Sequence, residues 1–154
     1  MIAAPRLVTI IQARLGSTRF PHKVLADFNG KTMLEACVRE AEKLGWPICV
    51  ACPKSDRELL RYVWEKGWTW YAGSETDVLD RYYEAAQMMK ADWVCRMTSD
   101  CPLGQIYQII PMWALEMAWR EAREPHEREH VDPWLKRLSV DTIEDLERVS
   151  ALQK

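Results

Sequence analysis

The sequence predicts an α/β fold in which helices cover both faces of a mostly parallel sheet. Short apolar runs rich in β-branched residues alternate along the chain with longer segments whose apolar residues recur at helical spacing. The connections between these segments are short, which is typical of parallel strands joined by crossover helices in a three-layer α/β/α arrangement. A chain of 154 residues is expected to form a single domain, residues 1–154.

The strands are predicted from apolar segments that are too short for helices. The run Leu7–Ala13 is rich in branched apolar residues and is typical of a central strand. The other predicted strands are Ile48–Cys52, Trp68–Tyr71, Trp93–Met97 and a short one around Leu138–Val140. Because ligands of such sheets gather at the carboxyl ends of the strands, polar residues that follow a strand are the first candidates for a site.

Helices are predicted between these strands from apolar spacing and end signals. Ser55 with Glu58 three residues later has the pattern of a capping box, which begins a helix that closes at Gly67. The other predictions are a helix from Met33 to Leu44 ended by Gly45, one capped by Ser74 or Thr76 that runs through Met89, a helix-rich stretch over 105–137, and a last helix capped by Thr142 and Asp145 that ends at Leu152.

The composition is that of an ordinary soluble globular protein, with 48% hydrophobic and 29% charged residues. A formal net charge of −2 gives no bulk attraction to nucleic acid or to a membrane surface, so neither is expected as a partner. No run approaches the length of a membrane span, and Leu7–Ile11 is too short for a signal peptide core. These observations predict a cytoplasmic protein.

The five cysteines are expected to be reduced thiols, because a chain of this size folds without disulfides. Cys49 and Cys52 form a CxxC pattern within a predicted strand. A spacing of three on a strand sends two side chains to opposite faces, which argues against a metal or redox pair.

A basic loop follows the first predicted strand. Residues 14–23 contain Arg14, Arg19 and Lys23 together with Gly16 and two hydroxyl residues, and residues 1–26 contain no acidic residue. Guanidinium groups match phosphate oxygens in pairs, and a glycine lets backbone N–H groups approach an anion closely. The loop matches neither a P-loop nor a GxGxxG pattern. It predicts a polyphosphate site, and a solvated basic loop is the alternative.

Two aspartates are candidates for holding a metal ion beside a polyphosphate. Asp100 follows the strand Trp93–Met97, and Asp141 follows the short strand around Leu138–Val140. Carboxylates beside a polyphosphate are suited to Mg²⁺, which takes one or two protein carboxylates together with phosphate oxygens and water. Taken singly, Asp100 could instead cap the turn before Pro102, and Asp141 could be half of a helix-start signal.

With these residues in place, the sequence resembles the cytidylyltransferases that activate acidic sugars. The resembling segments follow in order along nearly the whole chain, at residues 10–25 (IIQARLGSTRFPHKVL), 73–82 (GSETDVLDRY), 96–103 (RMTSDCPL), 127–131 (EREHV) and 140–146 (VDTIEDL). The spore-coat-polysaccharide SpsF-like group is the nearest branch, and the CMP-Kdo and CMP-sialate synthetases are related to it. The resemblance implies a Rossmann-like nucleotide-diphospho-sugar transferase fold.

The resemblance also implies a reaction and a set of roles. CMP would pass from CTP to a sugar acid or similar small acceptor, with release of pyrophosphate, and a homodimer is left open. The residues implied in catalysis are Arg14, Arg19, Lys23 and Asp100. Those implied in nucleotide binding are Ala13, Arg14, Gly16, Ser17, Arg19, Lys23, Ser74, Asp80 and Arg81. Arg128 and His130 are implied at the acceptor, and Asp100 and Asp141 at Mg²⁺, with Mn²⁺ as an alternative ion.

Two other functions are compatible with parts of the sequence. His126-Glu127-Arg128-Glu129-His130 matches the HExxH pattern of zinc peptidases, in which two histidines one helical turn apart bind the metal. A nucleotide-binding or assembly module that kept the fold and lost turnover would carry the same phosphate loop. Such a module would bind CTP without depending on its aspartates.

Overall fold

The computed structural model describes residues 3–104, 107–138 and 143–152. Its main sheet contains strands β1 (Leu7–Gln12), β4 (Ile48–Pro53), β5 (Trp70–Gly73), β6 (Trp93–Thr98) and β7 (Tyr107–Pro111). The sheet has the order β5-β4-β1-β6-β7. The first four of these strands are mutually parallel and β7 pairs antiparallel with β6, which confirms the mixed but mostly parallel sheet.

Helices lie on both faces of the sheet, as the apolar spacing predicts. They are α1 (Met33–Glu42), α2 (Arg57–Glu65), α3 (Val78–Met88), α4 (Met112–Glu121), α5 (Pro125–His130), α6 (Asp132–Leu135) and α7 (Ile143–Ala151). Alternate residues of β1 point to separate cores, since Ile10 packs with α3 and α4, whereas Ile11 packs with α1 and α2. None of the helices among the described residues is long and apolar enough to cross a bilayer.

Cys49 and Cys52 confirm the reasoning from strand geometry. Both are buried and free, and they belong to opposite cores of the sheet. Burial raises the pKa of each thiol to about 12, so both stay protonated at neutral pH.

Three local features of the fold were not predicted correctly or were missed. The stretch 105–137 is rich in helix, as predicted, but its first described residues form the edge strand β7. A small hairpin of β2 (Asp27–Phe28) and β3 (Lys31–Thr32) was missed, although its turn residues Asn29 and Gly30, both at positive φ, are a strong hairpin signal. The predicted capping box at Ser55 does not form, because Ser55 bonds Glu75 and the N-cap of α2 is Asp56.

For other elements, the predicted and observed bounds differ by only a few residues. The strand expected at 68–71 is observed at Trp70–Gly73, and Asp77 caps α3 while Ser74 accepts the Asp77 N–H. The predicted strand around Leu138–Val140 has no counterpart at Lys136–Leu138, which form a 3-10 helix, and its other residues lie outside the described ranges. The cap at Thr142 also lies outside them.

Tyr82 connects α3 to β6 through a buried hydrogen bond. Its hydroxyl donates to the Met97 carbonyl at 2.6 Å, and burial raises the pKa of Tyr82 to about 12, so the hydroxyl remains a donor. We expect Tyr82→Phe to lower the free energy of unfolding by about 1–2 kcal/mol, because a buried hydrogen bond is lost. Denaturant unfolding measures this change.

Tyr83→Phe is a matched control for Tyr82→Phe, since the Tyr83 hydroxyl accepts only from the exposed Gln87 amide, at 2.8 Å. Water can replace that partner, so the control should lose clearly less stability. Equal losses in the two variants would contradict the importance of the Tyr82 bond.

Candidate active site

The first predicted site lies where two parallel strands end side by side. Gln12, the last residue of β1, is paired in register with Thr98, the last residue of β6. The basic loop follows the first strand and Asp100 follows the second. The chain therefore brings the loop 14–23 and the turn 98–101 to the same edge of the sheet, as expected for parallel strands.

The basic loop is held in place by its own backbone and by α2. The Leu15 N–H donates to the Asp56 carboxylate at 2.8 Å, and the Leu15 carbonyl accepts from Ser17 and His22 at 2.9 and 3.2 Å. His22 has a positive φ of 55°, which turns the chain into the short 3-10 helix Lys23–Leu25. This anchoring leaves the cationic side chains free to face the cleft.

The loop and the turn enclose a polar cleft of about 360 Å³. The sequence-predicted residues that line it are Arg14, Gly16, Ser17, Arg19, Lys23, Asp100 and His130. Lys23 Nζ lies 3.8 Å from Asp100 Oδ2, and Arg14 Nη2 lies 3.6 Å from Glu129 Oε1. Arg19 has no ion pair with any of the described residues. The cleft therefore offers three cations for one anionic ligand, two of them in loose, partly exposed pairs that a phosphate could displace.

Asp100 is held as an ionised carboxylate. It accepts hydrogen bonds from the Thr98 hydroxyl and, at 3.8 Å, from the Cys101 thiol. Partial burial alone would raise the pKa of Asp100, but the Thr98 hydrogen bond and the nearby Lys23 charge outweigh it and keep the pKa below its usual value. A negative charge is thus maintained at the end of β6 at neutral pH.

A divalent metal fits this arrangement through Asp100. Mg²⁺ commonly takes one or two protein carboxylates and completes its shell with phosphate oxygens and water. An ionised carboxylate beside a cationic, phosphate-sized cleft provides that kind of donor. No group of three or more potential metal ligands occurs within 3–104, 107–138 and 143–152. Asp141, the second predicted ligand, lies outside these ranges.

Ala13 and Arg81, which are predicted to contact the base and ribose, are both buried. The Ala13 side chain is buried and its N–H donates to the Ala51 carbonyl at 3.0 Å, which leaves only its carbonyl for a ligand. Arg81 is fully buried and donates to the Ser74 and Glu75 carbonyls at 2.8 and 3.2 Å. Burial lowers the pKa of the Arg81 guanidinium. Arg81 therefore shapes the backbone after β5 and is not among the residues that line the cleft.

The structure places Asp80 and Arg128 at a neighbouring shallow cavity of about 500 Å³, outside the lining of the cleft. Asp80 Oδ1 accepts from Trp119 Nε1 at 2.7 Å. Arg128 donates twice to Asp77 Oδ2, at 2.9 and 2.7 Å, and once to the Trp119 carbonyl at 2.6 Å. Arg128 is thus engaged in joining α5 to α3 and α4, whereas His130 at the end of α5 lines the cleft.

Sequence reasoning missed Gln12 and Arg96 as cleft residues. Both are polar residues within otherwise apolar runs that form central strands. Such an interruption is itself a signal, since a charged side chain in a buried strand requires a partner or a function. Arg96 donates to Asp132 Oδ1 at 3.2 Å and to the His130 carbonyl at 3.1 Å.

The HExxH pattern has a structural explanation. Glu127 is 3% exposed, forms the capping box of α5 with Glu124, and is paired with Arg137. A glutamate fixed in this way is not available as the general base of a peptidase. The peptidase alternative is therefore not supported by the position of Glu127.

The chain is similar in sequence to other proteins over much of its length. The chain is 29% identical over 204 aligned positions to an uncharacterized protein of Methanocaldococcus jannaschii, an alignment that covers 97% of this chain and 84% of the relative. It is 30% identical to the spore coat polysaccharide biosynthesis protein SpsF of Bacillus subtilis, over 62% of this chain and 43% of that protein. The chain thus spans less than half of SpsF.

Solved structures share the fold. A cytidylyltransferase from Leptospira borgpetersenii superposes with a TM-score of 0.80 at 24% identity, over 97% of this chain and 87% of that one. CMP:2-keto-3-deoxy-manno-octonic acid synthetase, solved in complex with CTP, superposes with a TM-score of 0.57 at 26% identity, over 75% of this chain and 46% of that one.

The profile of one family matches most of the chain. It covers residues 8–117, from β1 through the edge strand β7 and into α4, and it includes the basic loop, Asp100 and Arg96. The matched region is well over half of the chain and contains both the basic loop and the turn 98–101. The chain therefore belongs to the cytidylyltransferase family.

Proposed function

We propose that this chain transfers CMP from CTP to a hydroxyl group of a small sugar or sugar-acid acceptor and releases pyrophosphate. The observation that supports this most is the meeting of Arg14, Arg19 and Lys23 with Asp100 around one cleft at the ends of β1 and β6. Membership of the cytidylyltransferase family supports cytidylyl transfer as the chemistry.

The three cations account for the binding of a triphosphate. Arg14 and Arg19 can each form paired hydrogen bonds with phosphate oxygens, and Lys23 supplies a compact charge. Gly16 leaves open space beside the loop, since a Cβ there would meet nothing within 4 Å. Ser17 lines the same wall and adds a hydroxyl. The Gln12 side chain has both an amide donor and a carbonyl acceptor, which suits the edge of a cytosine base.

Asp100, with Asp141 as its proposed partner, would hold Mg²⁺ or Mn²⁺. When bound, the ion would neutralise phosphate charge and polarise the phosphorus centre under attack. The ionised state of Asp100, maintained by Thr98 and Lys23, suits this role.

The chain's own part in the reaction is positioning and charge stabilisation. Phosphoryl-type transfers require in-line placement of the nucleophile and stabilisation of negative charge more than covalent catalysis. Arg14, Arg19 and Lys23 would stabilise charge on the α-phosphate and on the departing pyrophosphate. The partly enclosed cleft keeps these groups near the reacting phosphates before the reaction begins.

Pyrophosphate release tests this proposal directly. With Mg²⁺ and a panel of sugars and sugar acids, we expect release that depends on CTP and on an acceptor, and that falls when UTP, ATP or GTP replaces CTP. Binding of CTP is measured separately by titration calorimetry. The absence of CTP binding, or equal use of all four nucleotides, would contradict the proposal.

A further inference from the structure

A second, smaller pocket adjoins the nucleotide cleft. It has a volume of about 250 Å³ and is lined by Arg96, Thr98, Tyr107, Gln108 and Asp132. Arg96 and Thr98 line both spaces. A molecule in the smaller pocket would therefore lie next to a nucleotide in the cleft, separated by two side chains of β6.

The pocket is also next to the proposed metal ligand. The Thr98 hydroxyl donates to Asp100, so the wall of the pocket is in direct contact with that carboxylate. The opposite wall belongs to β7, whose Gln108 and Tyr107 pair in register with Arg96 and Met97. The start of α6 closes the third side with Asp132. This position is where an acceptor of the proposed reaction would approach the α-phosphate.

The charge in this pocket is already balanced. The Arg96 side chain is 15% exposed, and it donates to Asp132 Oδ1 at 3.2 Å and to the His130 carbonyl at 3.1 Å. The cationic side chains Arg14, Arg19 and Lys23 line the cleft but not this pocket. A carboxylate or phosphate placed here would meet a paired guanidinium and the partly exposed Asp132 carboxylate, which repels it.

The remaining groups suit uncharged hydroxyls. Among the described residues, the Gln108 side chain has one long contact, 3.4 Å from Arg96 Nη1 through its oxygen, and none of them takes its amide donors. The Tyr107 ring is 47% exposed and offers an apolar face for the C–H groups of a sugar ring. Thr98 and Asp132 add oxygen atoms that can pair with hydroxyl groups.

We infer that this pocket binds an uncharged, polyhydroxylated acceptor, such as a neutral sugar or polyol, in preference to a sugar acid. The inference rests on the proposed function. In the step it implies, an acceptor hydroxyl oxygen forms a bond to the α-phosphorus of CTP. The bond from that phosphorus to the oxygen bridging to the β-phosphorus breaks, pyrophosphate leaves with the electron pair, and the hydroxyl proton passes to water.

Matched acceptors test the inference. Pyrophosphate release with CTP and Mg²⁺ is measured for a hexose against its hexuronic acid, for a hexitol against its aldonic acid, and for 3-deoxy-manno-octulosonate. We expect a higher kcat/KM for the uncharged member of each pair, and for an uncharged acceptor over 3-deoxy-manno-octulosonate. Gln108→Lys, an exposed substitution that adds an unpaired cation, should shift each ratio toward the acid by about tenfold, the size of one charge-assisted contact.

A control variant and a second pocket variant accompany Gln108→Lys. Gln87→Lys adds the same charge on the exposed side of α3, away from both spaces, and should leave the ratios unchanged. Asp132→Asn removes the repelling carboxylate and should also favour the acids, with thermal unfolding to verify that the fold is kept. Because none of these residues belongs to the basic loop, the Kd for CTP should stay close to that of the wild type.

The outcomes separate the inference from the proposed function. No CTP binding in the wild type, or CTP binding without turnover of either acceptor class, would overturn the proposed function. Turnover with a preference for acids, or with ratios insensitive to both pocket variants, would overturn the inference about the pocket.

Discussion

Replacing Asp100 with asparagine is expected to lower acceptor-dependent pyrophosphate release by about 10²–10³-fold or more, because the cleft loses the negative charge that would hold the metal. The Thr98 hydroxyl and the Cys101 thiol surround this carboxylate, and an asparagine oxygen can still accept from them. The fold should therefore survive the change. Turnover with saturating CTP, measured over a range of Mg²⁺ concentrations, tests this expectation.

Asp27→Asn is the matched control for Asp100→Asn. Asp27 is exposed on the small hairpin and accepts the Gly30 N–H at 3.2 Å, a bond that asparagine can keep. The control should have wild-type turnover. If Asp100→Asn kept both CTP binding and turnover, the catalytic role of Asp100 would be wrong. If wild type and variant bound CTP alike and neither turned over, the chain would be a binding module that kept the fold and lost the reaction.

The central part of the fold could be predicted because its signals are local. Leu7–Gln12 and Ile48–Pro53 are mostly apolar runs, as is typical of strands buried on both faces. The short connections then fix the strands as parallel, and parallel strands place Gln12 beside Thr98. The basic loop and Asp100 could therefore be brought together from the sequence alone.

The missed elements depend on contacts between distant residues. The edge strand β7 contains Gln108 between apolar residues and ends at Pro111, so its pattern alone does not separate it from the helix that follows. Ser55 has the sequence of an N-cap, but Glu75, twenty residues later, takes its hydroxyl. Such tertiary partners override local propensity, and spacing along the chain cannot reveal them.

The same reason explains why Asp80 and Arg128 lie outside the lining of the cleft. Asp80 and Arg128 belong to segments that resemble the family. The Asp80 carboxylate accepts from Trp119, and the Arg128 guanidinium donates to Asp77. Arg96 lies in a resembling segment that implies no role for it, although a guanidinium within a central strand indicates a function or a partner. Its partner is Asp132, 36 residues further along the chain.

Lys23→Met is expected to weaken CTP binding by about 10–100-fold, the loss expected for one charge-assisted contact. Lys23 Nζ lies 3.8 Å from Asp100 Oδ2, and both side chains are partly exposed and line the cleft. Without Lys23, the Asp100 carboxylate would repel the triphosphate. The loss should therefore be larger when calorimetry is performed without Mg²⁺ than with it.

Lys66→Met provides the comparison for Lys23→Met, because the Lys66 side chain is about as exposed as that of Lys23 and lies 2.9 Å from Glu35. Lys66 is at the C-terminal end of α2, whereas the basic loop contacts the N-cap Asp56 at the other end. Partly exposed pairs contribute little to stability, so both variants should unfold close to the wild type. Only Lys23→Met should change the Kd for CTP. Lys23→Arg keeps the charge and should recover part of the affinity, since a guanidinium also binds phosphate but with different geometry. Wild-type affinity in Lys23→Met would mean that the triphosphate does not lie between the basic loop and Asp100, and the proposed donor site would then be wrong.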